Sequence, residues 1–183
     1  MIDTKRVELS PYKQIGEKCE VATSFERGVQ ILKEVCYQID ARYELMEKFG
    51  YRTMPNNLYR VIVVIEELSD LMMASKKAVE KHIVKIAQLG RACGVHLIIA
   101  TQRPTVDVVT GQIKANIGCR FALKTTSAID SRNILDKSGA EKLSGKGDCL
   151  LKLPETTDEI HLQCPYISDK DIEKTIKNYS GRN

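Results

Sequence analysis

Five consecutive β-branched apolar residues, Val61 to Ile65, run straight into two adjacent glutamates, Glu66 and Glu67. The five read as a strand covered on both faces, the kind found inside parallel sheets. Open α/β sheets place their ligand sites at the carboxyl ends of such strands. Two like charges there repel each other unless a cation or a hydrogen-bond network uses them. Phosphoryl transfer suits the pair: one acid holds Mg²⁺ through water, and the other positions or activates the attacking water. That is the Walker B arrangement of nucleotide-hydrolysing motors, with Glu66 as the Mg²⁺ partner and Glu67 as the catalytic base. A strand that simply ends in solvated acids accounts for the same letters.

The next buried strand, VHLIIAT (95 to 101), ends in Thr101-Gln102-Arg103-Pro104 and puts a polar pair at the same sheet edge. In such motors a neighbouring strand ends in a sensor residue that contacts the γ-phosphate or water, here Gln102. Arg91 lies near the end of the helix between the two strands and could reach outward to a neighbouring subunit. A guanidinium suits that role because it stays protonated and binds phosphoryl oxygens bidentately. Simple helix-dipole complementarity explains one helix-end arginine equally well. A phosphate cradle is missing. GAEKLSGKG (139 to 147) has one residue too many for GxxxxGK[ST], lacks the hydroxyl, and lies on the wrong side of the acidic strand. It reads as a turn.

The elements that must position these groups follow from the spacing. The 183 residues make one domain with a real core, and the 43% apolar and 28% charged content is ordinary for a globular chain. A net charge of +4 permits a polyanionic partner without demanding one. No apolar run approaches a membrane span, and the amino end has no signal-peptide pattern. The six cysteines never form CxxC and read as scattered free thiols in a reducing compartment. Met1 to Asp3 read as the end of a strand, followed by a loop through Pro11 and Gly16. Thr23 to Glu26 fits a capping box, opening a long helix that Gly50 stops. Residues 51 to 57 connect to the acidic strand, and a second helix runs from about Lys76 to Arg91. Residues 106 to 115 suggest a short helix and 119 to 125 a strand. Ser127 and Ser138 read as caps of two short helices. Two strands near 148 to 153 and 159 to 163 and a last helix from Ser168 to about Tyr179 complete the chain. Strands alternating with helices predict an α/β fold with a mostly parallel sheet.

Together, IDTKRVELSPY, IEELSDLMM, IAQLGRACGVHLIIATQRPTVDVVTGQIKANI and SAIDSRNILDKSGAEKLSGKGDCLL resemble the motor domain of the FtsK/SpoIIIE family of DNA translocases, downstream of its P-loop. The resemblance covers nearly the whole chain, 1 to 183. It implies a RecA-like P-loop NTPase, a three-layer αβα sandwich of which this is a partial domain. It also implies a hexameric ring around double-stranded DNA, with ATP bound between subunits. By position, Glu67 matches the catalytic glutamate, Gln102 the sensor and Arg91 the finger acting on the neighbour's nucleotide. Glu66 stands where the family has Asp, and the longer side chain alters Mg²⁺ geometry. Asp3 matches the acid after the P-loop helix and is expected at the cofactor. Arg103 and Arg132 fall in or beside the segments that resemble the DNA-gripping loops, and would contact phosphates irrespective of sequence. Ala128 replaces a common Lys, which would shift the grip to Lys124 or Lys114. Lys114 and Asn116 otherwise position a helix end.

The chain begins past the family's Walker A segment and ends without its winged-helix module, so it reads as a piece of a longer product, inactive alone. Chromosome segregation and conjugative or mobile-element transfer both fit. The expected location is cytoplasmic, with the full protein anchored to the inner face of a bacterial membrane through residues outside this chain. Two rivals remain: a degenerate, non-catalytic assembly domain, and a type VII secretion-type ATPase that moves protein.

Overall fold

The computed structural model describes residues 1–55 and 58–180. Asn56 and Asn57 of the connection over 51–57, and the last three residues of the tail, lie outside the described residues. The chain divides into two compact units, Met1–Gln102 with the chain from Glu173, and Arg103–Ile172.

In the first unit β1 (Val61–Ile65) pairs in parallel with β2 (Val95–Ile99), Val61 opposite Val95 and Ile65 opposite Ile99. Two isolated parallel pairings, Ile2 with Ile65 and Ile2 with Ala22, extend this ladder across the amino-terminal segment. The end of a strand expected at Met1–Asp3 is therefore a single pairing. The long helices α1 (Phe25–Phe49) and α2 (Leu68–Cys93) pack against each other over one face of the sheet. Ile2, Val63, Ile65 and Val95 are buried on that face. The opposite face is open: Ile62 is 59% and Ile98 55% exposed. The expectation that β1 is covered on both faces is corrected here, since the described residues supply two of the three layers of an αβα sandwich. Its β-branched run still has a cause in the pleat, which favours such side chains on either face.

Ser24 N-caps α1 by accepting from the Arg27 N–H, one residue later than the predicted capping box at Thr23, and Gly50 ends the helix as expected. The predicted second helix is longer. α2 begins at Leu68 and breaks at Ser75, whose φ of −159° and ψ of 69° are extended. The reading that starts at Lys76 therefore finds only the segment beyond the break. Gly94 takes a left-handed φ of 75° to stop α2, a conformation that suits glycine. Arg42 of α1 is buried, donates to Cys93 O (2.7 Å) and Tyr59 O (3.2 Å), and lies 4.7 Å from the centre of the Tyr59 ring. It thus satisfies a terminal carbonyl of α2 with a charge that also complements the helix dipole.

The second unit carries α3 (Gly111–Asn116), β3 (Arg120–Leu123), α4 (Ala128–Leu135), β4 (Asp148–Lys152) and β5 (Ile160–Gln163). Ser127 caps α4 as predicted. Ser138 is not a cap: the three-residue 3₁₀ turn over Ala140–Lys142 has Gly139, one residue later, at its cap. Here β3, β4 and β5 form an antiparallel sheet, where alternation predicts parallel pairing. The seven-residue link from β4 to β5 is too short for a crossover and forces a hairpin. Ala122, Leu135, Ala140 and Leu143 form the core under this sheet. The helix α5 (Asp169–Ser180) closes the described chain. No helix among the described residues is long and apolar enough to cross a membrane.

Candidate functional site

The carboxyl ends of β1 and β2 come together, and the carboxylate of Glu67 lies between them. Glu67 is the N-cap of α2, accepting from the Ser69 N–H at 3.2 Å through Oε1. The Thr101 hydroxyl donates to the same oxygen at 2.5 Å. The Gln102 N–H donates to Oε2 at 3.0 Å, and Lys5 Nζ approaches that oxygen to 3.4 Å. Glu67 is only 3% exposed. Burial would push its carboxyl up, but the Thr101 hydroxyl and the Gln102 and Ser69 amides outweigh it and hold the carboxyl below the usual range. An ionised, oriented carboxylate is what positioning a water molecule requires.

Glu66 is the opposite case. Its N–H donates to Ile2 O, while its Oε2 is buried with no hydrogen-bond partner among the described residues. Burial pushes its carboxyl above the usual range; Lys5 opposes the shift, and the carboxylates of Asp3, Glu67 and Glu8 add to it. The orphaned Glu66 oxygen would give a divalent cation one ligand and take charge from it, although no group of three His, Cys, Asp or Glu side chains among the described residues could hold a metal ion by itself. Mg²⁺ bound beside Glu66 would draw charge from phosphate oxygens. The protein's contribution here is the fixed backbone of Glu66 and the orientation of Glu67.

Asp3 corrects an expectation. Its side chain is fully buried and saturated from within. The N–H groups of Arg6 (2.8 Å) and Val7 (3.4 Å) donate to Oδ1, and the Leu9 and Ser10 amides (both 3.0 Å) and the Ser10 hydroxyl (3.2 Å) donate to Oδ2. Burial raises its carboxyl, yet these donors together bring it below the usual range. Such an acid has no acceptor left for a cofactor. It knots the loop over residues 3–10, whose tightness shows in the left-handed φ of 62° at Arg6. Thr4 extends the knot by donating to Asp70 Oδ2 at 3.1 Å.

The structure brings together Glu66, Glu67 and Gln102, but Gln102 takes part through its backbone amide and its side chain is exposed. Thr101, the other half of the polar pair, makes the side-chain contact. Arg91 does not join them. It sits exposed near the end of α2, and the bond from the Val61 N–H to Gly94 O holds that end beside the start of β1, about 20 Å from Glu67 at about 3.3 Å per strand residue. Arg103, Lys124 and Arg132 are all exposed in the second unit, after β2, after β3 and on α4 respectively. Lys114 is committed instead, its Nζ 2.6 Å from Asp136 Oδ1, in a cluster that includes Arg120 (3.0 Å) and Lys152 (2.8 Å) on Oδ2. A grip moved onto Lys114 is thus opposed by this pairing. Asn116 donates to Gln112 O within α3, as a residue positioning a helix end would. Lys5 and Ser69 are the site residues that sequence reasoning missed. Lys5 lies in the IDTKRVEL segment, but nothing in its spacing announces a partner 62 residues away.

Comparison with known proteins gives the family and the fold. The FtsK/SpoIIIE family matches residues 1–60 and 54–106. The DNA translocase FtsK of Chlorobaculum tepidum is 40% identical over 200 residues, covering 100% of this chain and 25% of its own length. The DNA translocase SftA of Bacillus subtilis is 42% identical over 191 residues, covering 97% of this chain and 20% of its own. Among solved structures, the pCW3 conjugation coupling protein TcpA, a monomer form with ATPγS, superposes with a TM-score of 0.85 at 28% identity, covering 97% of this chain and 55% of that one. The cytoplasmic domain of the Thermomonospora curvata type VII secretion ATPase EccC gives 0.72 at 22% identity, covering 89% and 21%, a likeness of fold alone. This chain spans a quarter or less of the length of these curated relatives. Its fold is RecA-like, a partial P-loop NTPase domain, and the chain belongs to the FtsK/SpoIIIE family.

Proposed function

We propose that this chain supplies the water-positioning and sensor elements of an ATP-driven motor that moves along double-stranded DNA. The observation that carries the reading is the state of Glu67: buried, ionised and aimed by donors from both strand ends, beside a Glu66 oxygen that lacks a partner. The relatives' names, DNA translocase and conjugation coupling protein, support duplex DNA as the cargo. In this mechanism Glu67 orients the attacking water, and Glu66 would hold a Mg²⁺ that, when bound, draws charge from phosphate oxygens. The Thr101–Gln102 turn reports the state of the site to β2. ATP lies between subunits of a homohexameric ring, and Arg91 acts on the neighbour's nucleotide. That division fits its distance from Glu67. Arg103, Lys124 and Arg132 contact DNA phosphates, so binding weakens steeply with salt. The phosphate cradle and the attachment to the inner face of the membrane come from outside these residues.

The test is ATP hydrolysis by the complete gene product, with and without duplex DNA, beside Glu67→Gln. DNA-stimulated turnover that this substitution abolishes is the expected result. Turnover unaffected by Glu67→Gln would refute the assignment. Stimulation by a secreted protein and not by DNA would move the chain to the secretion motors. No turnover under any condition would favour an assembly role.

A further inference from the structure

A carboxylate offers about four acceptor positions, two on each oxygen. In Glu67 all four are taken: the Ser69 N–H and the Thr101 hydroxyl on Oε1, and the Gln102 N–H and Lys5 Nζ on Oε2. Each of these donors competes with a water molecule for Glu67, and the four are not equally free to go. The Ser69 and Gln102 amides belong to the backbone at the start of α2 and the end of β2, and Thr101 is a short side chain on that same strand end. Lys5 is different. It makes the longest of the four contacts, 3.4 Å, its side chain is 40% exposed while that of Glu67 is 2%, and its ammonium rides on a flexible four-carbon stem.

The backbone around Lys5 is fixed on both sides. Thr4 is tied to Asp70, and the Arg6 N–H is tied to the Asp3 knot. The loop therefore holds the root of the Lys5 side chain beside the acidic pair and leaves its tip able to swing. Resting on the proposed function, we infer that Lys5 is a positioning residue that closes Glu67 in the empty site and opens it by leaving. Incoming polyphosphate offers the ammonium competing oxygens, and its departure frees one position on Oε2 for the attacking water. Hydrolysis is thereby held down until the site is filled and ordered.

The proposal predicts a gain of activity, which a merely structural lysine would not give. In the complete gene product, Lys5→Met should raise DNA-independent ATP hydrolysis about two- to five-fold, the population factor of a half-exposed ion pair. It should also shrink the ratio of DNA-stimulated to basal turnover. Lys5→Arg, which can still reach Oε2, should stay near the parent rate. Lys5→Met combined with Glu67→Gln should be inactive. Basal turnover of Lys5→Met at or below the parent rate, with Glu67→Gln inactive, overturns the latch and leaves the motor reading standing. Turnover retained in Glu67→Gln overturns the motor reading itself. Loss of cooperative thermal unfolding in Lys5→Met would make Lys5 part of the fold and also sink the proposal.

Discussion

Replacing Asp3 with asparagine tests the loop knot on which the site depends. The carboxylate takes five donors, two on Oδ1 and three on Oδ2. An asparagine keeps one oxygen and turns an NH₂ toward the other set. The less costly orientation keeps Oδ2 and strands the Arg6 and Val7 amides, which then face a donor. An unsatisfied buried donor costs about 1–3 kcal/mol. These two lie at a partly open loop, which favours the low end, and the three remaining bonds lose their charge assistance. The sum is about 2–3 kcal/mol. With a urea slope of about 2 kcal/mol per molar, the unfolding midpoint should fall by about 1 M. Because the folded Asp3 carboxyl titrates below its usual value, its contribution is present above about pH 4 and is lost as pH falls through the lower folded value. The gap between parent and variant should therefore close in acid. A loss under about 0.5 kcal/mol at neutral pH, or a gap that persists in acid, would refute the saturation argument.

Three further outcomes follow from named contacts. Gly90 lies inside α2, where alanine would ordinarily stabilise by about 1 kcal/mol, but its Cβ would come 2.4 Å from the Val95 carbonyl oxygen. Gly90→Ala should therefore lower stability by about 2 kcal/mol or more, read from denaturant unfolding, and an unchanged or higher midpoint would contradict the close approach. Thr101→Val keeps the shape and removes the donor to Glu67 Oε1. Hydrogen bonds to charged groups are worth about 1.5–3 kcal/mol, so kcat for ATP should fall about ten- to a hundred-fold with KM little changed. Asp136 ends α4 in a left-handed conformation that asparagine also tolerates, and its charge meets Lys114, Arg120 and Lys152. Asp136→Asn should cost about 1 kcal/mol at neutral pH, less in high salt. Lys114, first among its partners, depresses the Asp136 carboxyl, so this difference should persist until strong acid and vanish there.

The local pattern was sufficient for everything that depends on neighbours in the chain. The β-branched run of β1, the acids that follow it, the helical spacing of α1 and its glycine stop are all short-range facts. So is the polar turn after β2, and with it the pair of strand ends that make the site. Family resemblance then added roles that spacing alone could not assign. What the sequence could not show was which groups saturate which. Asp3 reads like a ligand acid because its letter and place suit one. Only the folded loop reveals five donors converging on it, because their amides carry no side-chain signature. Nothing near Arg42 in the chain marks its partner, since the end of α2 that accepts from it lies 51 positions later. The antiparallel pairing of β4 with β5 depends on how a short link closes in space, and the open face of β1 on which layers are present. Lys5 and Glu67 are 62 residues apart. Their meeting rests on the parallel pairing of Ile2 with Ile65, which sets the two segments side by side and so decides what the catalytic carboxylate can accept.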